Sequence, residues 1–84
     1  MAQIILTFDA QRQIDRLPRK IRARVLKLVE RLQCWPEVSG VKPLSGNLAG
    51  RYRLRTGDYR LQFFLQGDDL FIEKIGHRDG FYEE

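Results

Sequence analysis

The segment from Arg51 to Ile75, RYRLRTGDYRLQFFLQGDDLFIEKI, alternates strand-forming stretches with two short turn sequences. Thr56-Gly57-Asp58 and Gly67-Asp68-Asp69 combine glycine with aspartate, residues that tight hairpin turns favour. The stretches around these turns are rich in aromatic, β-branched and other apolar residues, as strands are. We therefore predict three consecutive antiparallel strands, over 51–55, 59–66 and 70–75.

Alternation of side chains within these predicted strands separates a basic face of the sheet from an apolar one. Successive residues of a strand point to opposite faces, so the first predicted strand places its three arginines on one face. These are Arg51, Arg53 and Arg55. In the second strand, Arg60 falls on the face opposite to Leu61. Phe64 and Phe71 lie in nearly continuous apolar runs, so periodicity leaves open which face they occupy.

The first half of the chain predicts a strand and two helices. Residues 4–8, IILTF, predict a short strand, and Asp9 is the predicted N-cap of the helix that follows. Pro18 favours a break before a second helix, because its ring suits a first helical turn and disfavours helical geometry in the preceding residue. Apolar residues of the second helix recur from Ile21 to Leu32 at three- and four-residue steps, as packing on a sheet requires. The sequence Cys34-Trp35-Pro36 is predicted to end it.

The predicted element order is β-α-α-β-β-β over a single domain of residues 1–84. A chain of this length has room for one core only, because it buries roughly 60% of its unfolded surface. The order is typical of an α+β fold in which a helical hairpin packs on one face of a small antiparallel sheet. The longest connection is predicted over 36–50. The other sheet face is predicted to be free to bind a partner.

Composition argues against a disulfide, a metal site and a membrane span. The single cysteine, Cys34, has no internal disulfide partner, and no Cys/His set has zinc spacing, so we predict no metal and no cofactor. The N-terminal sequence MAQIILTFDA lacks the basic start and long apolar run of a signal peptide. No apolar stretch approaches the ~20 residues of a membrane span. We therefore expect a soluble, cytoplasmic protein without a membrane partner.

The net charge of +4 is unevenly distributed along the chain. Residues 11–33 carry eight basic and two acidic side chains, residues 42–60 carry five and one, and residues 61–84 carry two and six. Part of the basic charge forms a stripe on one face of the second helix. Its members are Lys20, Arg24, Lys27 and Arg31. Such a field attracts nucleic acid or an acidic protein segment, although a merely solvated helix face is the alternative for the stripe.

A group of residues in the second half of the chain has the chemistry to act on a phosphodiester. Arginine forks suit phosphate oxygens, whereas histidine and tyrosine can move protons. Cleavage of a phosphodiester needs a base for the attacking oxygen, positive charge around the phosphorane and an acid for the leaving oxygen. Because arginine stays protonated, Arg60 and Arg78 are predicted to stabilise the phosphorane. His77 and Tyr82 are the predicted proton-transfer residues, in no fixed order.

Each of these residues also has a purely structural interpretation. The arginines of the first predicted strand would solvate an exposed sheet face. Arg60 would pair with Asp58 or with a C-terminal glutamate. His77 and Arg78 would form structural hydrogen bonds at the end of a strand. Tyr82 would lie in a frayed terminus or stack on a nucleobase.

Four sequence blocks carry a family resemblance. They are Pro43-Leu44-Ser45-Gly46, Gly50-Arg51-Tyr52-Arg53-Leu54-Arg55, Gly57-Asp58-Tyr59-Arg60-Leu61, and Ile75-Gly76-His77-Arg78 with Tyr82. Together they resemble the RelE/ParE toxin superfamily of type II toxin–antitoxin systems, over nearly the whole chain. The resemblance implies a microbial-RNase-like sheet. In the RelE branch it implies a toxin that cuts mRNA in the ribosomal A site, without a metal, by 2′-hydroxyl attack.

The resemblance also implies roles for individual residues. Arg53 and Arg55 fall where the RelE branch has basic residues on the first strand of the meander. Arg60 falls on its phosphate-binding arginine, Arg78 on its second essential arginine, and Tyr82 on a tyrosine near the C-terminus. This chain departs from the best-known member of that branch, which has lysine at the two strand positions and a longer gap before the tyrosine.

Two other functions within the superfamily are alternatives to the nuclease. The ParE branch shares the fold but poisons DNA gyrase and lacks the arginine, histidine and tyrosine cluster, so the cluster favours the nuclease. A weakly active relative that mainly binds its antitoxin is the second alternative. Each reading implies a cognate antitoxin whose acidic or amphipathic segment wraps the basic surface. The nuclease also implies the ribosome and mRNA as partners, and operator DNA only through the antitoxin complex.

Overall fold

Within residues 2–81, which the computed structural model describes, a two-helix hairpin packs on one face of a five-stranded sheet. The strands are β1 (Gln3–Leu6), β2 (Lys42–Pro43), β3 (Arg51–Thr56), β4 (Tyr59–Gln66) and β5 (Asp69–His77). The helices are α1 (Phe8–Asp15) and α2 (Arg19–Arg31). Short 3-10 turns cover Leu32–Cys34, Gly46–Leu48 and Arg78–Gly80. The predicted α+β class is confirmed.

The sheet has the strand order β1-β5-β4-β3-β2. The predicted three-stranded meander is present as β3, β4 and β5, which pair antiparallel. The first strand joins the same sheet but runs parallel to β5, so the sheet is mixed rather than purely antiparallel. A parallel partner requires a long crossover, and the two helices are part of it.

The predicted connection over 36–50 contains a further strand that the sequence pattern does not reveal. β2 consists of Lys42 and Pro43 alone, paired with Arg53 and Tyr52 at the far edge of the sheet. Proline has no N–H to donate, so it is confined to edge strands, and two residues are too few to display alternation. β2 therefore extends the basic face of the meander by one lysine.

Helix α1 begins two residues earlier than predicted, because its cap is Thr7 rather than Asp9. The Thr7 backbone is extended and its hydroxyl accepts a hydrogen bond from the Ala10 N–H at 3.2 Å. Asp9 instead lies in the first turn, where a negative charge favours the helix dipole. Pro18 precedes α2 as predicted, and α2 gives way to a 3-10 turn after Arg31. Neither helix within residues 2–81 is long and apolar enough to cross a lipid bilayer.

The core lies between the helices and the apolar sheet face. Its buried residues from the helical half are Ala10, Ile14, Leu17, Val25, Leu28 and Leu32, and those from the sheet are Leu54, Leu61, Phe63, Leu70, Ile72 and Ile75. The rings of Trp35, Tyr52 and Phe63 pack on one another with centroids 5.2 to 5.5 Å apart. The apolar helix face that the sequence predicts from Ile21 to Leu32 is thus the face that packs on the sheet.

A β-bulge in β5 changes which side chains reach the face opposite the helices. The register with β4 shifts so that Lys74 pairs with Gln62 and Ile72 pairs with Phe63, leaving Glu73 as the extra residue. Its carboxylate accepts a hydrogen bond from the Gln62 amide on the face away from the helices. A bulge of this kind re-aims side chains. Two consecutive residues, Glu73 and Lys74, therefore lie on the same side of the sheet.

Candidate nucleic-acid interface

The sheet face opposite the helices, here called the arginine face, is built from the alternate residues of β3 and β4. Cross-strand partners share a face, and the register pairs Arg51 with Phe64, Arg53 with Gln62 and Arg55 with Arg60. The predicted common face of Arg51, Arg53 and Arg55 is confirmed, and the register adds Arg60 to it. Lys42 joins them because it pairs with Arg53. The face concentrates positive charge as an anion site requires, and its RNA contact stays a prediction.

Arg60 has the most unusual environment on the arginine face. It lies between Arg55 on β3 and Gly76 on β5. Its Nε and Nη1 atoms are buried and have no hydrogen-bond partner within residues 2–81. Buried donors without partners are rare, because each costs about 1–3 kcal/mol. The alternative in which Asp58 neutralises Arg60 is not what the described residues form, since the Asp58 carboxylate lies beside Arg78.

Arg78 lies at the same end of the sheet as Arg60. Its backbone N–H donates to the Asp58 carbonyl at 2.7 Å, which ties the end of β5 to the turn between β3 and β4. Its Nε is 3.8 Å from the Asp58 carboxylate and 3.5 Å from the Asp79 carboxylate. The side chain is 59% exposed. Such exposed ion pairs are weak and exchangeable, so the guanidinium is available to a stronger anion.

His77 is not brought together with Arg60. Its register partner is Tyr59, which packs against the core, and the two rings meet edge to face with centroids 5.2 Å apart. The imidazole thus lies on the helix side of the sheet. Its Nδ1 accepts the Asp79 N–H at 3.1 Å and caps the turn that carries Arg78. The geometry matches the structural alternative for this histidine.

The centre of the arginine face is not open, contrary to the prediction. Phe81 is 2% exposed, although it does not belong to the core between helices and sheet. A β-carbon placed on Gly76 would lie 3.6 Å from the Phe81 ring, so this ring covers the glycine. The Lys74 ammonium lies 4.7 Å from the ring centroid and donates to the Phe81 carbonyl. Tyr82, the next residue, lies outside the described residues.

Glu73 is a potential functional residue that the sequence interpretation missed. Its Oε2 accepts hydrogen bonds from Arg51 Nε at 2.7 Å and from Gln62 Nε2 at 2.9 Å. An ionised carboxylate beside arginines can hold the charged groups in place or accept a proton. Sequence periodicity did not single out Glu73, because the bulge that turns its side chain to the arginine face leaves no signal in the residue pattern.

The apolar end of the arginine face is formed by two phenylalanines. Phe64 and Phe71 stack with centroids 5.2 Å apart and planes inclined by 9°. The Arg51 guanidinium lies over the Phe64 ring at 5.4 Å. The question that periodicity left open is thereby answered, because both rings lie on the arginine face. Exposed parts of such rings suit stacking on nucleobases.

The basic stripe of α2 is exposed at all four of its positions, Lys20, Arg24, Lys27 and Arg31. Arg31 donates to the Ser39 carbonyl at 2.9 Å, so it also ties the helix to the following loop. The Arg24 Nη1 atom lies 3.6 Å from the position that a β-carbon on Gly57 would occupy. Arg24 of the stripe therefore reaches the turn that contacts Arg78. The role of the stripe in RNA binding stays a prediction.

The part of the chain that the structure describes holds no cluster of three or more His, Cys, Asp or Glu side chains arranged for a metal ion.

Comparison with known proteins finds relatives by structure rather than by sequence. No family model and no curated protein matches the sequence. The toxin–antitoxin complex RelBE2 from Mycobacterium tuberculosis contains a chain with a TM-score of 0.79 and 28% identity, covering 92% of this chain and 98% of that one. The RelB–RelE antitoxin–toxin complex from Methanococcus jannaschii gives 0.77 at 22% identity, covering 94% and 95%.

The isolated RelE toxin of Escherichia coli shares the same fold. The match has a TM-score of 0.76 at 15% identity and covers 92% of this chain and 84% of that one. The shared architecture agrees with the α+β sheet and the helical hairpin described above. The match at 28% identity therefore supports a RelE-like toxin superfamily for this chain, and the other two matches show the shared fold.

Proposed function

We propose that this chain is the toxin of a type II toxin–antitoxin system and that it cuts mRNA on the ribosome, in the cytoplasm. The observation that carries the proposal is Arg60, whose Nε and Nη1 atoms are buried on a face rich in cations and have no partner among residues 2–81. Such donors suit an anion, and the crowded phosphorane of RNA cleavage is the anion that the resemblance to the RelE branch implies.

The proposed reaction is attack of a ribose 2′-hydroxyl on the adjacent phosphate. The 2′-oxygen forms a bond to phosphorus, the bond to the 5′-oxygen breaks, and one proton passes from the nucleophile to a base while another reaches the leaving oxygen. Arg60 and Arg78 supply positive charge to the phosphorane. Glu73 is the proton acceptor on the arginine face, and Tyr82 keeps its predicted place as the second proton-transfer residue.

His77 acts in this proposal as a positioning residue. Its Nδ1 holds the turn that begins at Arg78, and its ring packs against Tyr59 on the helix side. Replacement with asparagine retains an acceptor near the same place, whereas alanine does not. We expect His77→Asn to keep most of the cutting rate and His77→Ala to lose part of it. Equal and nearly complete loss in both variants would return His77 to a proton-transfer role.

A cognate antitoxin is the proposed protein partner. Solved structures with this fold include complexes of RelE with RelB and of YoeB with YefM. An acidic or amphipathic antitoxin segment would match the positive charge of the arginine face and of the α2 stripe. Operator DNA would be contacted only through that complex, and neither a membrane nor a cofactor enters the proposal.

Primer extension on message from cells that express the protein tests the proposal, alongside a gyrase supercoiling assay. We expect breaks within translated codons, and their loss in Arg60→Ala and in Arg78→Ala by on the order of 10²–10³ in rate. Arg19→Ala, an exposed arginine at the start of α2, is the matched control and should cut normally. Intact message together with inhibited gyrase would favour the ParE-like function.

A further inference from the structure

We propose that Phe81 is a latch that covers Arg60 in the free protein, and that RNA displaces its ring to reach the guanidinium. The proposal rests on the proposed function for its ligand, because RNA is the anion that Arg60 would hold. The closed state itself is defined by contacts of this chain alone. It can therefore be tested without RNA.

The position of Phe81 is the first step of the argument. The 3-10 turn at Arg78–Gly80 reverses the chain after β5, and the Phe81 N–H donates to the Arg78 carbonyl at 3.4 Å. The reversal returns the ring to the arginine face, where it is 2% exposed. A phenylalanine buried this deeply outside the core must cover something else.

What the ring covers follows from the register of the sheet. Gly76 is the cross-strand partner of Arg60, and directly opposed residues have β-carbon positions about 4.5–5.5 Å apart. The Phe81 ring fills the space above Gly76, which has no side chain of its own. It therefore lies alongside Arg60, whose Nε and Nη1 atoms are buried. Lys74 flanks the ring on the same strand as Gly76.

An anionic ligand would favour the open state, because it would supply hydrogen-bond acceptors to the buried donors of Arg60. Closing the latch buries an apolar ring, but it leaves two donors of Arg60 without a partner in the described part of the chain, and these effects oppose each other. A phosphate that hydrogen-bonds these donors binds only the open state, so it shifts the population toward opening. A nucleobase can then take the place of the ring beside Lys74, since an ammonium group attracts any aromatic face. The latch and RNA thus compete for the same space.

Arginine-selective dicarbonyl modification, read residue by residue with mass spectrometry, tests the closed state without RNA. A buried guanidinium reacts only after local opening, so Arg60 of the wild type should react on the order of tenfold more slowly than exposed Arg55. Phe81→Ala should bring the two rates together. Phe8→Ala, which truncates a phenylalanine that is 76% exposed, should leave their ratio unchanged. Equal rates in the wild type, or an unchanged ratio in Phe81→Ala, would overturn the latch.

Binding of a 2′-O-methyl RNA oligomer, which cannot be cut through its 2′-oxygen, tests the competition. Apparent affinity falls by the fraction of open molecules, so Phe81→Ala should bind about threefold to tenfold more tightly than the wild type. Weaker binding by Phe81→Ala would mean that the ring assists RNA, and would contradict the proposal. A protein that binds no RNA but shows the expected modification pattern would refute the proposed function and retain the closed state.

Folding of the variants is checked by circular dichroism and thermal unfolding. If Phe81→Ala does not fold, Phe81→Leu replaces it, because leucine keeps apolar volume but covers less of the neighbouring guanidinium than a ring does. The modification ratio of Arg60 to Arg55 should then rise by a smaller factor. No rise in a folded Phe81→Leu protein would count against the latch.

Discussion

The Arg60 guanidinium is the proposed phosphate ligand, and its burial lowers the stability of the folded protein. Two buried donors of this guanidinium lack partners within residues 2–81, which disfavours the folded state, whereas the backbone of the residue is paired between Arg55 and Gly76 in the sheet. Arg60→Met should therefore raise the free energy of unfolding by about 1 kcal/mol, because it keeps the stem and removes the unpaired donors. The same variant should lose cutting. Urea unfolding measures the first effect, and Arg19→Met provides an exposed control expected within about 0.5 kcal/mol of the wild type.

A lower stability of Arg60→Met would contradict this account of the residue. It would mean that the guanidinium gains more from its surroundings in the folded state than the contacts within residues 2–81 provide. Preserved cutting would be the more serious failure, since it would remove the phosphate ligand from the proposed reaction.

Two substitutions distinguish a structural role of Glu73 from a chemical one. Glu73→Gln removes the charge that could accept a proton, and Arg51→Met breaks the same 2.7 Å ion pair from its other side. We expect cutting to fall by about 10²–10⁴ in Glu73→Gln, the usual contribution of a general base, and by less in Arg51→Met. Single-turnover cutting of ribosome-bound message measures both. Equal losses would show that Glu73 acts only through Arg51.

Thr7 and Asp9 provide a test at the level of a secondary-structure element. Thr7 caps α1 through its hydroxyl, whereas Asp9 contributes only a favourable charge in the first turn. Thr7→Ala should lower the free energy of unfolding by about 1 kcal/mol, and Asp9→Ala by a few tenths. Urea unfolding of the two variants decides the matter. A larger loss in Asp9→Ala would restore the cap that the sequence suggested.

The elements differ in how far the sequence could predict them. The meander was predictable because Gly57 and Gly67 mark both of its turns and apolar residues flank them. The cap of α1 was not, since Thr7 and Asp9 are both common N-cap types only two residues apart. β2 and the bulge at Glu73 were hidden for a different reason. Both depend on pairing with a distant strand rather than on local residue preference.

The sequence could predict which face of the sheet carries the arginines of the candidate site. It could not predict that Phe81 covers part of that face. Alternation placed Arg51, Arg53 and Arg55 on one face, which the register confirms, and the register adds Arg60 to them. The position of His77 required the register with Tyr59, and the return of Phe81 required the turn after β5. The residue pattern therefore predicted a shared face only within a strand, and the pairing of neighbouring strands was needed for the rest.

The whole molecule carries basic charge on two surfaces, the arginine face and the α2 stripe. RNA binding should therefore weaken steeply with salt, with a slope of about −0.7 in log K against log salt for each phosphate contacted on a single strand. Replacing Lys20 and Lys27 with glutamine should lower ribosome binding without changing the modification of Arg60. Sedimentation with ribosomes at several salt concentrations measures this. A salt-independent interaction would contradict an electrostatic contact.

Cutting of a defined message on purified, stalled ribosomes tests the central claim most directly. The wild-type protein and Arg60→Met are added to the same complexes, and the 5′ ends of the fragments are mapped. The account predicts a break within the A-site codon with the wild type and none with Arg60→Met, although the variant is folded. Intact message with the wild type, or the same break with both proteins, would contradict it.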